Sequence, residues 1–187
     1  MPDWSRHDDQ ELIKSAQNGN AEAFGEVYSR YAQPLFRFLY AHVDNVQDAE
    51  DLMADVFLRA WRALPDYRHQ KNIPFYVFLF RIARNRLVDH YRRQSVRFQT
   101  ISLFEDEQDA DIEDVAQVVS TNLEHAEVRN SLKQLREEYR TILSLRFFSG
   151  LSPEETAQVM GKSIGAIRVL QHRALTALHK LLKGAEK

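Results

Sequence analysis

Arg168, Val169, His172 and Arg173 recur at spacings of one, three and four, on one face of a helix that opens just after Ser163. Two guanidiniums, an imidazole and a short apolar side chain on one rigid face suit hydrogen bonds to phosphates and base edges, and a methyl contact to thymine. The residues before them must set that face in place. Ser152 and Glu155 have the spacing of a capping box, with Pro153 at the first helical position. Ala157 is small where two crossing helices approach, and Gly161 falls where the turn needs a positive φ. Ser163 is placed to cap the second helix, whose buried stripe reads Ile164, Ile167, Leu170, Ala174, Leu178 and Leu181. A short helix, a glycine turn and a longer helix form a helix-turn-helix, which offers one helix to the major groove.

Charge is segregated along the 187 residues although the net charge is only −2. From Arg68 to Arg97 the bases are Arg68, Lys71, Arg81, Arg84, Arg86, Arg92, Arg93 and Arg97, against the single acid Asp89. From Lys162 onward the only acid is Glu186. Between these blocks lies an acidic stretch, Glu105, Asp106, Glu107, Asp109, Asp111, Glu113 and Asp114. Two basic blocks fit a protein that touches nucleic acid at two places. Cysteine is absent, so disulfides and thiolate metal sites are excluded. The seven histidines show no ligand spacing, and no phosphate-binding glycine loop or nucleophile constellation appears. The sequence therefore predicts a non-enzyme without metal or cofactor. The start lacks a signal peptide, and no apolar run reaches membrane-spanning length, which predicts a cytoplasmic protein with no direct membrane insertion.

Hydrophobic periodicity predicts an all-α fold. Helices are expected over 8–17, 21–43, 46–64 and 73–94. The second turns Phe24, Val27, Tyr28, Tyr31, Leu35, Phe38 and Leu39 inward, with Pro34 placed to kink it. The third has the cleanest period: Ala49, Leu52, Met53, Val56, Phe57, Ala60, Trp61 and Leu64 form one stripe. Its far face holds Asp48, Asp51, Asp55, Arg59 and Arg62, with Leu58 also off the stripe. The fourth buries Phe75, Phe78, Leu79, Ile82, Ala83, Leu87 and Tyr91, and presents Arg81, Arg84, Asn85 and Arg92 on the other side. Two small helical domains result, over 1–94 and 122–187, joined by a flexible acidic linker over 95–121. Helices over 122–135 and 137–148 precede the helix-turn-helix.

Four segments in order resemble one family, the bacterial RNA polymerase sigma factors of the extracytoplasmic-function (ECF) type. Asp48-Ala-Glu-Asp-Leu-Met-Ala-Asp-Val-Phe-Leu-Arg-Ala-Trp61 is similar to the family's core-binding segment. Arg81-Ile-Ala-Arg-Asn85, with Asp89 and Arg92-Arg93, is similar to its promoter-melting helix. The acidic linker and the terminal helix-turn-helix complete the order, and the resemblance covers 9–182. Ala54 replaces a usual Gln, and Phe78 a common Trp.

The resemblance implies a protein that binds polymerase core, recognises the −35 and −10 promoter elements and promotes melting. Asp48, Glu50, Asp51, Asp55 and Leu58 would meet a coiled coil in the largest polymerase subunit. Tyr67, Arg68, His69 and Asn85 would hold an unstacked base, with Arg84, Arg92 and Arg93 on phosphates. Ser163, Arg168, Val169, His172 and Arg173 would take the upstream element. The linker would thread toward the RNA exit path, and an anti-sigma factor is an expected partner. A stand-alone helix-turn-helix regulator is the alternative, and a helical adaptor with no sequence-specific role is a weaker one.

Overall fold

The computed structural model describes residues 6–68, 73–101 and 123–185, and the side-chain environments of 6–68, 73–92 and 128–182. Its elements are α1 (Asp9–Gln17), α2 (Ala21–Tyr40), α3 (Val46–Ala63), a 3-10 turn (Leu64–Asp66), α4 (Phe75–Ile101), α5 (Leu123–Gln134), α6 (Glu137–Leu143), a π turn (Ser144–Phe148), α7 (Pro153–Met160) and α8 (Ile164–Ala185). There is no strand among the described residues. The all-α fold with two helical units is the one the periodicity predicts. The linker prediction falls on residues that lie mainly outside the described ones.

Local chemistry fixes the helix starts. Asp8 accepts from the Glu11 amide at 2.8 Å while Glu11 reaches back to the Asp8 amide, a capping box the sequence reading passed over. Asn20 and Asn45 cap α2 and α3. α1 packs on α2, α2 on α3 and α3 on α4, burying Leu12, Val27, Phe38, Val56 and Leu79 between them. The second unit closes α8 over α5 and α6, with α7 crossing it.

The two units share one contiguous core. Its members run from Leu12 through Leu87 to Leu132, Leu145 and Ala174. α7 packs on α4, and the π turn packs on α2. That second partner explains a difference from the sequence reading of α4: Val77 and Phe80, off the predicted stripe, are buried as well. A single-helix period registers one buried face, and α4 is covered on two.

Other differences are local. α2 ends at Tyr40 rather than Val43, and Pro34 stands inside it without ending it. Tyr28 is 43 % exposed; its ring leans on Phe57 at 4.6 Å from the edge of the core. α4 continues to Ile101, past the predicted end at Gln94. Ile164, assigned to the buried stripe of α8, is 40 % exposed, because the first turn of that helix borders an open cleft with Arg81 and Gln158.

The turn between α7 and α8 rests on Gly161, at φ 67° and ψ 36°. A Cβ built there meets nothing within 4 Å, so the constraint is the backbone alone. Gly161→Ala should therefore lose about 1–2 kcal/mol of stability, and Gly161→Asn distinctly less, since Asn tolerates this region. Urea unfolding of both variants checks this; equal losses would place the constraint in packing instead.

Candidate nucleic-acid and polymerase interfaces

Ser152 accepts from the Glu155 amide at 3.1 Å, and the Ser152 amide donates to Glu155 at 2.7 Å, so the predicted box forms. Glu155 also takes a hydrogen bond from the Tyr76 hydroxyl of α4, which ties the first helix of the motif to the other unit. The Lys162 amide closes the turn on the Ala157 carbonyl at 3.0 Å. Ser163 accepts from the Ala166 amide at 3.2 Å, capping α8 as expected. Ile167, Leu170 and Ala174 are buried, which fixes the rotation of the helix. Arg168, Val169, His172 and Arg173 all face outward, with Gly165 and Ala166 exposed beside them. Small residues at this end let another backbone approach closely.

Spacing along α8 misses three neighbours of that face. Lys162 reaches Glu138 at 2.8 Å, and Arg136 lies 3.8 Å from the same carboxylate. With Gly165, Ala166, Val169 and Arg173 they line one shallow cleft. The Lys162 hydrogen bond holds the Glu138 carboxyl below the ordinary carboxylate range. Nothing in the local sequence of 136–138 signals this, because only the packing of α6 on α8 brings the two together. Gln171 is spent differently: it accepts from Arg146 at 3.1 Å, and so orients α8 on its own domain.

The acidic face of α3 divides into free and engaged groups. Asn45 accepts from the Asp48 amide at 2.7 Å and donates to its carboxylate at 3.2 Å, so Asp48 stands in the first turn, where the helix dipole favours an anion. Glu50 and Asp51 are exposed. Leu58, two turns on from Asp51 and on the same face, is 46 % exposed. Asp55 differs. It pairs with Arg59 at 2.8 Å and with Arg86 of α4, whose side chain is only 12 % exposed. Burial raises the Asp55 pKa, but the Arg59 hydrogen bond and the Arg86 charge outweigh it, and the carboxyl ends below its usual range. Geometry gives Asp55 a positioning role between α3 and α4.

On α4, Asn85, Val88 and Arg92 form an exposed strip at i, i+3 and i+7. Val88, 46 % exposed, was absent from the sequence reading; an apolar side chain beside an amide can rest against a base. Arg84 is half-buried on the flank of the strip. Arg81 is turned away, donating to the Gln158 carbonyl at 3.0 Å. Tyr67 packs its ring 5.1 Å from both Phe75 and Phe78, so it shapes the floor of the approaching loop more than it offers a free face. The Gln17 amide anchors that loop on the Tyr67 carbonyl at 2.6 Å. Arg68 is exposed. His69 and the Arg93 side chain fall outside the described residues. No cluster of three or more metal-ligating groups occurs among the described residues, and no described helix is long and apolar enough to cross a membrane.

Comparison with known proteins matches this layout. Residues 27–97 match the family Sigma-70 region 2, and residues 125–178 match Sigma-70, region 4. The chain is 37 % identical over 175 residues to the ECF RNA polymerase sigma factor BldN of Streptomyces coelicolor, covering 92 % of this chain and 65 % of that protein. It is 33 % identical over 187 residues to RNA polymerase sigma-H factor of Pseudomonas aeruginosa, covering 96 % of each. Among solved structures, CnrH in complex with the cytosolic domain of CnrY superposes with a TM-score of 0.73 at 29 % identity, over 94 % of this chain and 97 % of that one. RpoE in complex with the anti-sigma factor NepR from Bartonella quintana gives a TM-score of 0.65 at 27 % identity, over 84 % and 97 %. With one family region spanning α3 and most of α4 and the other spanning the helix-turn-helix, the chain belongs to the bacterial RNA polymerase sigma factors of the ECF type.

Proposed function

We propose that this chain joins polymerase core through α3, holds the opened downstream promoter element along α4 and reads the upstream element with α8. The observation that carries this is the pairing of exposed faces. Glu50, Asp51 and Leu58 are exposed on one helix, Asn85, Val88 and Arg92 on the next, and Arg168, Val169, His172 and Arg173 on the last. An acidic face with one apolar side chain suits a basic coiled coil in the largest subunit. The amide and cations of α4 suit an unstacked strand held by its base edges and phosphates. Tyr67, Arg68, His69, Arg84 and Arg93 would serve the same element, and Ser163 would set the approach of α8. Asp48 would contribute charge to the α3 face, and Asp55 would hold that face against α4. In this reading the domains extend over 1–94 and 122–187, with 95–121 as the connection.

The chain would act in the cytoplasm without catalysing a reaction itself. An anti-sigma factor is a fitting regulator, since the similar structures of CnrH and RpoE were solved with such partners or with a cytosolic partner domain. Reconstitution tests the proposal: the purified chain with polymerase core should yield promoter-specific RNA from duplex DNA. No affinity for core by a folded chain would sink it. Tight duplex binding without core would favour the stand-alone regulator. Asp51→Lys combined with Leu58→Ala should weaken core binding about tenfold or more while leaving the fold intact, because a like charge now faces the basic partner and the apolar anchor is gone. An unchanged titration with core would move the contact elsewhere.

A further inference from the structure

The C-terminal end of α2 is built to receive a guanidinium. The chain leaves that helix at Tyr40 and turns through 41–45 into α3. Three carbonyls converge in this turn, and Arg129 of α5 donates to all of them: to Tyr40 at 3.1 Å, to Val43 at 2.8 Å and to Asp44 at 2.9 Å. Its guanidinium carbon lies 3.5 Å from the centroid of the Tyr40 ring. Lys133, one turn along α5, reaches the Asp44 carboxylate at 2.7 Å. Three convergent backbone carbonyls, one of them at the end of α2, with an aromatic face and a neighbouring carboxylate, all select a cation, and the planar stacking selects arginine over lysine.

The position of this corner gives it a consequence. Asn45, the next residue, caps α3, and Asp48 follows in its first turn. Arg129 and Lys133 belong to the other half of the chain, so the helix-turn-helix unit reaches across to the end of the acidic helix. The two halves also meet where Arg140 donates to the Tyr91 hydroxyl at 3.4 Å and Ser149 to the Pro34 carbonyl at 3.3 Å.

We propose that this corner is an arginine-binding site, filled in cis by Arg129 while the two halves lie together, and taken over by an arginine of the polymerase core when the chain binds. The inference rests on the reading of α3 as the polymerase-binding helix. Cis occupancy lowers the fraction of chain competent to bind, and the apparent affinity for core falls by that fraction. Filling the corner in cis also keeps α7 against α4, where Arg81 is held by the Gln158 carbonyl.

The full chain contains no cysteine, so Glu22→Cys and Lys180→Cys provide two unique labelling points, one on each half and both exposed. Energy transfer between them reports separation, and titration with polymerase core reports affinity. Arg129→Ala should widen the separation before core is added and tighten core binding about fivefold or more. Arg129→Lys should fall between wild type and Ala. Adding Tyr40→Leu to Arg129→Ala should abolish the gain, because the incoming arginine loses its stacking face. Core affinity unchanged or weakened by Arg129→Ala, with helicity retained, overturns the proposal. So does a gain that survives Tyr40→Leu. A wild-type chain that never binds core would strike the polymerase-binding assignment itself, and the label separation in Arg129→Ala without core keeps that failure distinct from failure of the cis contact.

Discussion

Arg168→Ala should lower transcription from the cognate promoter roughly tenfold to a hundredfold while leaving core binding unchanged. A bidentate arginine contact to a base is worth about 1–3 kcal/mol of discrimination, and the arrangement around Arg168 favours such a contact over a loose phosphate clamp. The residue lies one turn into α8, the part of a recognition helix that enters the groove. Buried Ile167 and Leu170 on either side fix the direction in which it projects. Ser163 pins the start of the helix, and Gln171 with Arg146 pins its middle. The decisive comparison is between promoters. Loss at the cognate site with little loss at a site altered by one base in the upstream element marks base readout. A uniform loss at all sites, with a salt dependence shallower by about one counterion, marks a phosphate contact. Equal activity at every promoter would remove Arg168 from the interface.

What could be read without coordinates follows from how each residue is constrained. The stripe of α3 was legible because that helix has one buried face, and its exposed side then follows by subtraction. The caps at Ser152 and Ser163 and the positive φ of Gly161 were legible because they are local backbone chemistry. The second buried face of α4, with Val77 and Phe80, was not, because it depends on α7, some eighty residues away. The same holds for the candidate surfaces. Arg168 and Arg173 could be named from their spacing, whereas Arg136, Lys162 and Glu138 gather beside them only through the packing of α6 on α8. Asp55 shows the converse: its position on the helix resembles that of Asp51, yet it is also paired with Arg86 of another element. Sequence periodicity assigns a side to a residue and cannot tell which charges on that side are already paired.

Between pH 6.5 and 4 the chain should lose stability through one buried group, His42. The ring is fully buried where α2 meets α6. Nδ1 lies 2.8 Å from the Phe38 carbonyl, which can only accept, so Nδ1 carries the proton and Nε2 accepts from the Thr141 hydroxyl at 3.3 Å. Burial pushes the pKa down from the ordinary 6.5 to about 4, against the Phe38 hydrogen bond, and the nearby Arg140 charge adds to the lowering. Above pH 6.5 both folded and unfolded chains hold the ring neutral, and it contributes no pH dependence. As pH falls below 6.5, the unfolded chain takes up a proton that the folded chain refuses, so folding weakens. The slope approaches about 1.4 kcal/mol per pH unit and sums to about 3 kcal/mol by pH 4. The carboxylates whose pKa values are lowered, Asp44, Asp55 and Glu138, act in a separate window, since their contributions are lost only as pH falls through and below the usual carboxylate values. Urea unfolding at pH 7, 6 and 5 therefore isolates the imidazole. His42→Gln, which keeps an amide donor toward Phe38 and an acceptor toward Thr141, should flatten the slope across that range; a slope as steep as wild type would assign the effect to another group. Because Thr141 belongs to the helix-turn-helix unit, any state that separates the two halves also exposes the ring to water. The same proton then favours separation as well as unfolding, and the energy-transfer pair on Glu22→Cys and Lys180→Cys should report a larger distance at pH 5 than at pH 7, with the change reduced in His42→Gln.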